Sequence, residues 1–391
     1  MFAVGQFRRV LFKPTETFLY NYLAAFRRIV PVCITFQREN VAMFPFHHPI
    51  MELYAWDILN RGLRWMRRQI RRNSSDLRYD LSKTFKTIKQ YDVRVLHAHF
   101  GYTGSEVMSV KRKTNLPLVT TFYGEDVSAM ANSEKWQLVY AQLFAEGDLF
   151  LVEGPNMKKR LFEIGCPPEK ANIQRIALLM DRYPFRKRLP KTRAQSVRIL
   201  FCGSFREKKG LIYALDAVRL AHERFSNIEF RIIGDGELRP QVEQTIDRYH
   251  MRSYTVPLGF QSHQRMIEEM DAADIFIHPS VTATNGDSEG GAPTTILEAQ
   301  ACGLPVLSTT HADIPNVVAP GESALLAPER DAETLSDHLC SLLSEPKCWA
   351  KMGITGRAFI EKYHNIDIEV RSLENHYYSL AGISEKYFLF S

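Results

Sequence analysis

Residues 273–310 read ADIFIHPSVTATNGDSEGGAPTTILEAQACGLPVLSTT. The stretch divides into a β-rich run (ADIFIHP), a polar loop, an amphipathic segment opening at Pro293 and stopping at Gly303, and a second β-rich run (LPVLSTT). Strand, loop, helix and strand in that order make one unit of a parallel α/β sheet, whose ligands collect beyond the carboxyl ends of the strands. Proline suits the first helical position because its missing N–H has no partner there, and glycine supplies the left-handed stop. The helix start then presents the unpaired amides of Thr294 and Thr295 and a positive dipole end, a setting for a phosphate. Gly290 and Gly291 let a ligand approach the backbone without a Cβ in the way. Glu298 falls about five residues into this helix, roughly 7 Å along its axis. There a carboxylate can accept hydrogen bonds from adjacent hydroxyls, such as a ribose diol. Glu289, ahead of the turn, is placed near whatever lies beyond the phosphates. Either acid alone reads as a solvated surface group; the glycines, the proline and the preceding strand favour a ligand site.

The same alternation extends outward. In the first half, TETFLYNYLAAF (15–26) carries Phe18, Tyr22 and Phe26 at helical spacing. IVPVCITF (29–36), VRVLHAHF (93–100), LPLVTTF (116–122) and DLFLVEG (148–154) read as strands, with helical stretches between them such as 134–146. In the second half, VRILFCG (197–203) and IEFRIIG (228–234) join the two strands already quoted, with helices near 209–224, 237–249, 293–302 and 331–343. The expectation is two Rossmann-like domains, residues 1–190 and 191–369, with helical residues 370–391 packing back on the first. The basic, proline-containing FRKRLPKTRAQSV (185–197) reads as the linker, with nothing in it that looks like core. Residues 37–80, rich in arginine and aromatics and poor in strand signals, read as an insertion or loop-rich edge.

At 391 residues the chain exceeds the size at which one core usually stops growing. An apolar fraction of 45% and a charged fraction of 24% describe an ordinary globular protein. The six cysteines show no C-x-x-C pair and no metal spacing, and read as reduced packing thiols. No apolar run approaches the ~20 residues of a membrane span, and the N-terminal MFAVGQFRRVLFKP places arginines where a signal peptide needs apolar residues. A cytoplasmic protein is expected. A net charge of +6 suits phosphate-rich or membrane-surface partners without requiring nucleic acid, and none is expected. His97 and His99 share a strand face and read as satisfied core-edge residues; a metal pair is disfavoured because no third ligand is near in sequence.

FCGSFREKKG (201–210) is a second constellation. It follows a strand, carries Gly203, and leads through Lys208, Lys209 and Gly210 into a helix, and such cations suit a diphosphate leaving group. IIGDGELR (232–239) lacks the third glycine of a dinucleotide fingerprint, so Gly234 and Gly236 are read as a tight turn near the same cleft.

From ILFCGSFREKKG through FRIIGDGELR, DIFIHPS, GDSEGGAPTTILEAQACGLPV and GESALLAP, the second half resembles the retaining glycosyltransferases of the GT-B class, family 4. The first half matches more loosely, in PTETF, LHAHFG, PLVTTFYGEDVS and MKKRLFEIGCP. The resemblance implies a GT-B fold, with parallel sheets facing each other across a cleft. It implies that Glu298 binds the ribose of a UDP- or GDP-linked sugar and that Glu289 contacts the transferred sugar. Gly290, Gly291, Ala292, Pro293 and Thr294 would then lie near sugar and phosphates, and Lys209, with Gly203 and Ser204, near the diphosphate. On the first domain, Tyr123, Gly124 and Asp126 would face the transferred sugar, with His97 to Gly101 at a neighbouring strand end. Four departures stand out. Eight residues rather than seven separate Glu289 from Glu298; Ser204 replaces the usual arginine, which leaves Arg206 to supply the charge; Tyr123 replaces a histidine; and Asn316 replaces a glutamate.

The implied reaction moves a sugar from a nucleoside diphosphate to an acceptor hydroxyl with retention, without a metal or other cofactor. A diphosphate oxygen takes the acceptor proton, and Lys209 and Arg206 meet the developing charge. The acceptor would be a saccharide or lipid-linked saccharide in surface polysaccharide synthesis. RGLRWMRRQIRR (61–72), if helical, is a basic amphipathic surface suited to anionic headgroups, consistent with peripheral attachment to the inner face of the plasma membrane. A solvated helix face is the plainer reading of the same residues. Two alternatives to a transferase are a nucleotide-sugar epimerase of the same fold and a catalytically silent module that binds nucleotide sugar.

Overall fold

The computed structural model describes residues 1–53, 79–192 and 194–383. The arginine-rich segment 61–72 lies outside the described residues. Among the described helices none is long and apolar enough to cross a membrane.

The described strands form two wholly parallel sheets. In the first lobe they are β1 (Phe2–Leu11), β2 (Ile29–Arg38), β3 (Ile50–Glu52), β4 (Val93–His99), β5 (Leu118–Thr121), β6 (Leu149–Val152) and β7 (Ala171–Ile173). Their spatial order is β3-β2-β1-β4-β5-β6-β7. The second lobe holds β8 (Val197–Cys202), β9 (Ile228–Ile233), β10 (Thr255–Gly259), β11 (Ile275–Ile277), β12 (Val306–Thr309) and β13 (Ala324–Ala327), in the order β10-β9-β8-β11-β12-β13. Helices cover these sheets, so their central strands are near-continuous apolar runs; β11 and β12 are buried at every residue. In each lobe the order reverses beside the first strand, at β1/β4 and at β8/β11. Such a reversal opens a crevice at the carboxyl ends, where doubly wound sheets bind ligands.

The strand at the heart of the first sheet, β1, has no counterpart among the strands read from the sequence. Gln6, Arg8 and Arg9 interrupt its apolar pattern and disguise it. Arg8 is nonetheless 3% exposed, because its guanidinium pairs with Glu16 at 2.7 Å and lies 4.0 Å from the centre of the Phe100 ring. In the 37–80 region, β2 runs on to Arg38 and β3 adds an edge strand, so this stretch is partly sheet.

The chain passes between the lobes twice, and the passages are stitched together: Leu178 N–H donates to His364 O at 2.8 Å, and Ile366 N–H to Leu178 O at 3.2 Å. The last described helix, Ile366–Leu380, lies on the first lobe. There Glu374 accepts from the backbone N–H groups of Arg27 and Arg28, and the Tyr377 hydroxyl meets His97 Nδ1 at 2.6 Å.

The linker differs from the expectation. Arg188 is 1% exposed and is built into the second lobe. Its guanidinium donates to Ala273 O at 2.9 Å, Cys302 O at 2.7 Å and Met270 O at 2.6 Å. These are the orphan carbonyls at the ends of helices His263–Ala272 and Thr294–Ala301, where a cation also meets the negative end of each helix dipole. Burial, with Arg186 nearby, lowers its pKa to about 10, and the carbonyls compensate the buried charge. A basic residue in a polar stretch therefore serves as a core residue.

The candidate donor site in the interlobe cleft

The basic loop follows β8 and the acidic loop follows β11, so the strand reversal brings the two together. Gly210 makes the approach possible: its φ is +68°, and a Cβ there would lie 1.8 Å from Pro279 O. Lys208 O then accepts from Val281 N–H at 2.9 Å. Lys208 Nζ reaches Asp287 Oδ1 at 2.9 Å and Ser288 O at 3.0 Å, which pins the acidic loop from beneath.

Lys209 Nζ lies 2.7 Å from Glu289 Oε2, and Ser280 Oγ donates to Glu289 Oε1 at 3.0 Å. Burial alone would raise the pKa of Glu289, but Lys209 and then Lys208 outweigh it and hold the carboxyl at about 2. His278, fully buried, points Nε2 at Glu289 Oε1 from 4.0 Å. Its Nδ1 lies 3.0 Å from Cys202 O; a carbonyl can only accept, so this nitrogen carries the proton. Burial first and Lys209 second push the His278 pKa down to about 3, so the ring is neutral. Between the two acids the chain turns at Gly290, whose φ is +74°.

The helix that carries Glu298 spans Thr294–Ala301 and has no side-chain cap. Pro293 is its N-cap, with ψ of 126°, so the helix begins one residue after the proline rather than on it. Thr294 and Thr295 are its first two residues, and their backbone N–H groups stand at the uncapped end. Glu298 is 3% exposed; its Oε1 lies 2.9 Å from the Tyr183 hydroxyl and 3.0 Å from His263 Nε2. Gly203 and Ser204 follow β8 directly. Gly234 packs on that turn, where a Cβ would lie 1.9 Å from Gly203 O.

The first lobe closes on this site through backbone. A Cβ on Gly124 would lie 2.5 Å from Glu289 O, and one on Gly290 would lie 2.3 Å from Gly124 Cα. Asp313 of the second lobe accepts from the N–H groups of Asn156 at 2.8 Å and Met157 at 3.0 Å. It thereby caps helix Pro155–Glu163, whose own N-cap, Gly154, has no side chain to do so. Between them Glu153 is buried against Gly291. Burial, then Asp313, Asp126 and Glu289, raise its pKa well above the carboxylate range, with the Ala292 amide opposing.

The structure thus brings Lys209, Glu289, Gly290 and Gly124 together at the β8/β11 reversal, with Gly291 against Glu153, Gly203 and Ser204 at the end of β8, and Pro293, Thr294 and Glu298 on the helix that follows the acidic loop. The Tyr123 side chain packs within the first lobe, on Phe18 and Phe100. Two residues are placed differently from the expectation. The Asp126 carboxylate is fully buried and accepts from the N–H groups of Gly101, Tyr123 and Gly124, at 2.9, 3.0 and 2.9 Å; it shapes its own loop and does not point at the cleft. Arg206 is about half exposed and sits 3.7 Å from Asp287 at the rim, while Lys208 occupies the inner position. Tyr123 donates toward His99 Nδ1 at 2.8 Å. His97 and His99 are buried and satisfied by Tyr377, Thr121, Tyr123 and Gln6, and among the described residues no three metal-ligating side chains cluster. Tyr183, His263, His278, Ser280 and Asp313 were not foreseen; Tyr183, His263 and Asp313 meet partners far away in sequence, and only the polar HPS following β11 gave any signal.

The chain is similar to known proteins in sequence and in fold. The profile of the family described as Glycosyl transferases group 1 matches residues 196–345. The amylovoran biosynthesis glycosyltransferase AmsK of Erwinia amylovora is 33% identical over 287 residues, 73% of this chain and 70% of that protein. The chain belongs to the group 1 glycosyltransferases. The putative colanic acid biosynthesis glycosyltransferase WcaL of Escherichia coli is 34% identical over 249 residues, which span 63% of this chain and 61% of WcaL. In fold, the chain resembles Anabaena HepE, solved in complex with UDP, with a TM-score of 0.77 at 15% identity over 97% of this chain and 100% of that one. The GT-B architecture of this glycosyltransferase extends through both lobes.

Proposed function

We propose that this glycosyltransferase moves a sugar from a nucleoside diphosphate sugar, with retention, to a saccharide or lipid-linked saccharide in the assembly of an extracellular polysaccharide. One observation carries the reading. Lys209 and Glu289 meet at the β8/β11 reversal, beside the uncapped start of the helix whose fifth residue is Glu298. A diphosphate at that helix start accepts from the Thr294 and Thr295 amides, and Lys209 exchanges Glu289 for a phosphate oxygen. The ribose lies along the helix toward Glu298, and the transferred sugar lies toward Glu289 and the Tyr123–Gly124 loop. Counter-charge to the leaving diphosphate comes from Lys209 and the amides rather than from a metal. A diphosphate oxygen accepts the proton of the acceptor hydroxyl as the new bond forms on the face the diphosphate leaves, which gives retention. Closure through Gly124 and Asp313 keeps water from the donor. The polysaccharide setting is supported by what AmsK and WcaL are named for; the donor class is supported by this geometry and by the UDP bound to the similarly folded HepE.

The test is a melting screen against UDP, GDP, ADP and their sugars. A ligand at about 100 times its Kd stabilises by roughly 2.7 kcal/mol. Stabilisation by one nucleotide series, with nucleoside diphosphate released only when an acceptor is added, is the expected result. Binding without turnover across acceptors indicates a silent binding module, and donor conversion without acceptor indicates an epimerase.

A further inference from the structure

Tyr183 reaches the cleft on the passage between the lobes, not on either sheet. It is 2% exposed, and its carbonyl accepts from Arg357 Nη1 at 2.8 Å. The same nitrogen reaches Ala301 O at 2.8 Å, so one guanidinium ties the Tyr183 backbone to the helix that carries Glu298. Five residues on, Arg188 ties the same passage to the carboxyl ends of that helix and of the helix that opens with His263. The backbone behind both Glu298 and His263 is thus held by this one stretch of chain.

At the side chains, Glu298 Oε1, the Tyr183 hydroxyl and His263 Nε2 form a triangle with sides of 2.9, 3.0 and 3.2 Å. The Tyr183 hydroxyl donates its single proton to Oε1. His263 Nε2 supplies the second N–H to the same oxygen. No described residue hydrogen-bonds Glu298 Oε2. Two donors on one oxygen fix the plane of the carboxylate and leave its other oxygen for a ligand.

We propose that Tyr183 is a positioning residue for donor binding: with His263 it occupies Oε1 of Glu298, so that Oε2 is the oxygen offered to the ribose hydroxyls of the nucleotide. This rests on the reading of Glu298 as the ribose-binding acid. Tyr183 acts through Glu298, so its role is affinity and discrimination. The connector between lobes is then part of the nucleotide site.

The test compares UDP with 2′-deoxy- and 3′-deoxy-UDP, and GDP with its deoxy forms, on the full chain and on Tyr183→Phe. The wild type is expected to prefer one ribonucleotide over its deoxy forms by tenfold or more, as for loss of a hydrogen bond to a charged group. Tyr183→Phe, which removes one oxygen and keeps the ring, is expected to lower that ratio to about threefold or less and to raise the donor KM about tenfold. Its kcat should change much less than its KM, a split that general loosening of the fold would not produce. His263→Gln, which keeps an N–H donor, should retain more of the ratio than His263→Phe. If the wild type binds no nucleotide, or binds ribo and deoxy forms equally, the reading of Glu298 fails and takes the inference with it. If the wild type discriminates and Tyr183→Phe discriminates as well, that reading stands and the role given to Tyr183 is overturned.

Discussion

Lys209→Ala separates the chemistry of this site from its stability. In the structure the Lys209 ammonium lies 2.7 Å from Glu289 Oε2, with side-chain exposures of 18% and 6%. At an effective dielectric near 20 the gross attraction is about 6 kcal/mol, much of it offset by desolvation. Removing the lysine leaves a buried carboxylate held only by Ser280 directly and by Lys208 at longer range. The expected loss of stability at pH 7 is about 3 kcal/mol, at the low end for breaking a buried pair because those partners remain. Turnover, followed as nucleoside diphosphate release in the presence of acceptor, is expected to fall ~10²- to 10³-fold, as for loss of one preorganised charge-stabilising donor. The two effects respond differently to a second change. Adding Glu289→Gln removes the unpaired charge and should restore about 2 kcal/mol of the loss, while turnover stays low. The pH dependence has a definite sign. In the wild type the Glu289 pKa is depressed to about 2, so its contribution is full above its ordinary value near 4.5 and is lost as the pH falls toward 2. Without Lys209 the carboxyl titrates higher, so the penalty should shrink as the pH is lowered from 7 toward 5 in urea titrations. Turnover within tenfold of wild type would refute the electrostatic role, and a double variant no more stable than the single would refute the buried-pair argument.

Three further outcomes are expected. Arg188→Met leaves the carbonyls of Met270, Ala273 and Cys302 without their shared donor, and urea unfolding of the second lobe should show a loss of about 3 kcal/mol or more. Asp313→Ala removes a cap that bridges the lobes and should cost about 1 kcal/mol. Asp313→Asn keeps one acceptor oxygen where the two N–H groups use both, so it should restore only part of the loss, and small-angle scattering should show the alanine variant more open. His97, His278 and His364 are held neutral by burial, at about 3, 3 and 4, whereas an unfolded chain binds their protons near 6.5. Stability should therefore fall as the pH drops from about 6.5 toward 4, by up to about 1.4 kcal/mol per histidine per pH unit. Replacing His97 by Gln should flatten that slope.

Much of this was legible because proline and glycine punctuate the chain where function concentrates. The stretch 273–310 declared its strand, loop, helix and strand, and the structure keeps that order with shorter strands, Ile275–Ile277 and Val306–Thr309, and a helix that starts after Pro293, whose extended ψ makes it the cap. That the basic and acidic loops each follow a strand was legible; that these two strands lie side by side at the sheet reversal was supplied by the structure. What could not be read were charges satisfied at long range. Arg8 in β1 and Arg188 in the connector look like surface residues until Glu16, Phe100 and three helix-end carbonyls are brought to them. Glu298 was read as a ligand-binding acid; that it is 3% exposed was not legible, because its partners Tyr183 and His263 lie 115 and 35 residues away. Asp126 shows the reverse error: its position in the loop was legible, but not the direction of its side chain, which three backbone amides turn inward.

A crystal structure with whichever nucleoside diphosphate most stabilises the protein tests the central claim most directly. The account predicts the terminal phosphate within hydrogen-bonding distance of Lys209 Nζ and the amides of Thr294 and Thr295, with a ribose hydroxyl on Glu298 Oε2. A diphosphate seated at the β1/β4 reversal of the other lobe, or a ribose turned away from Glu298, would contradict it.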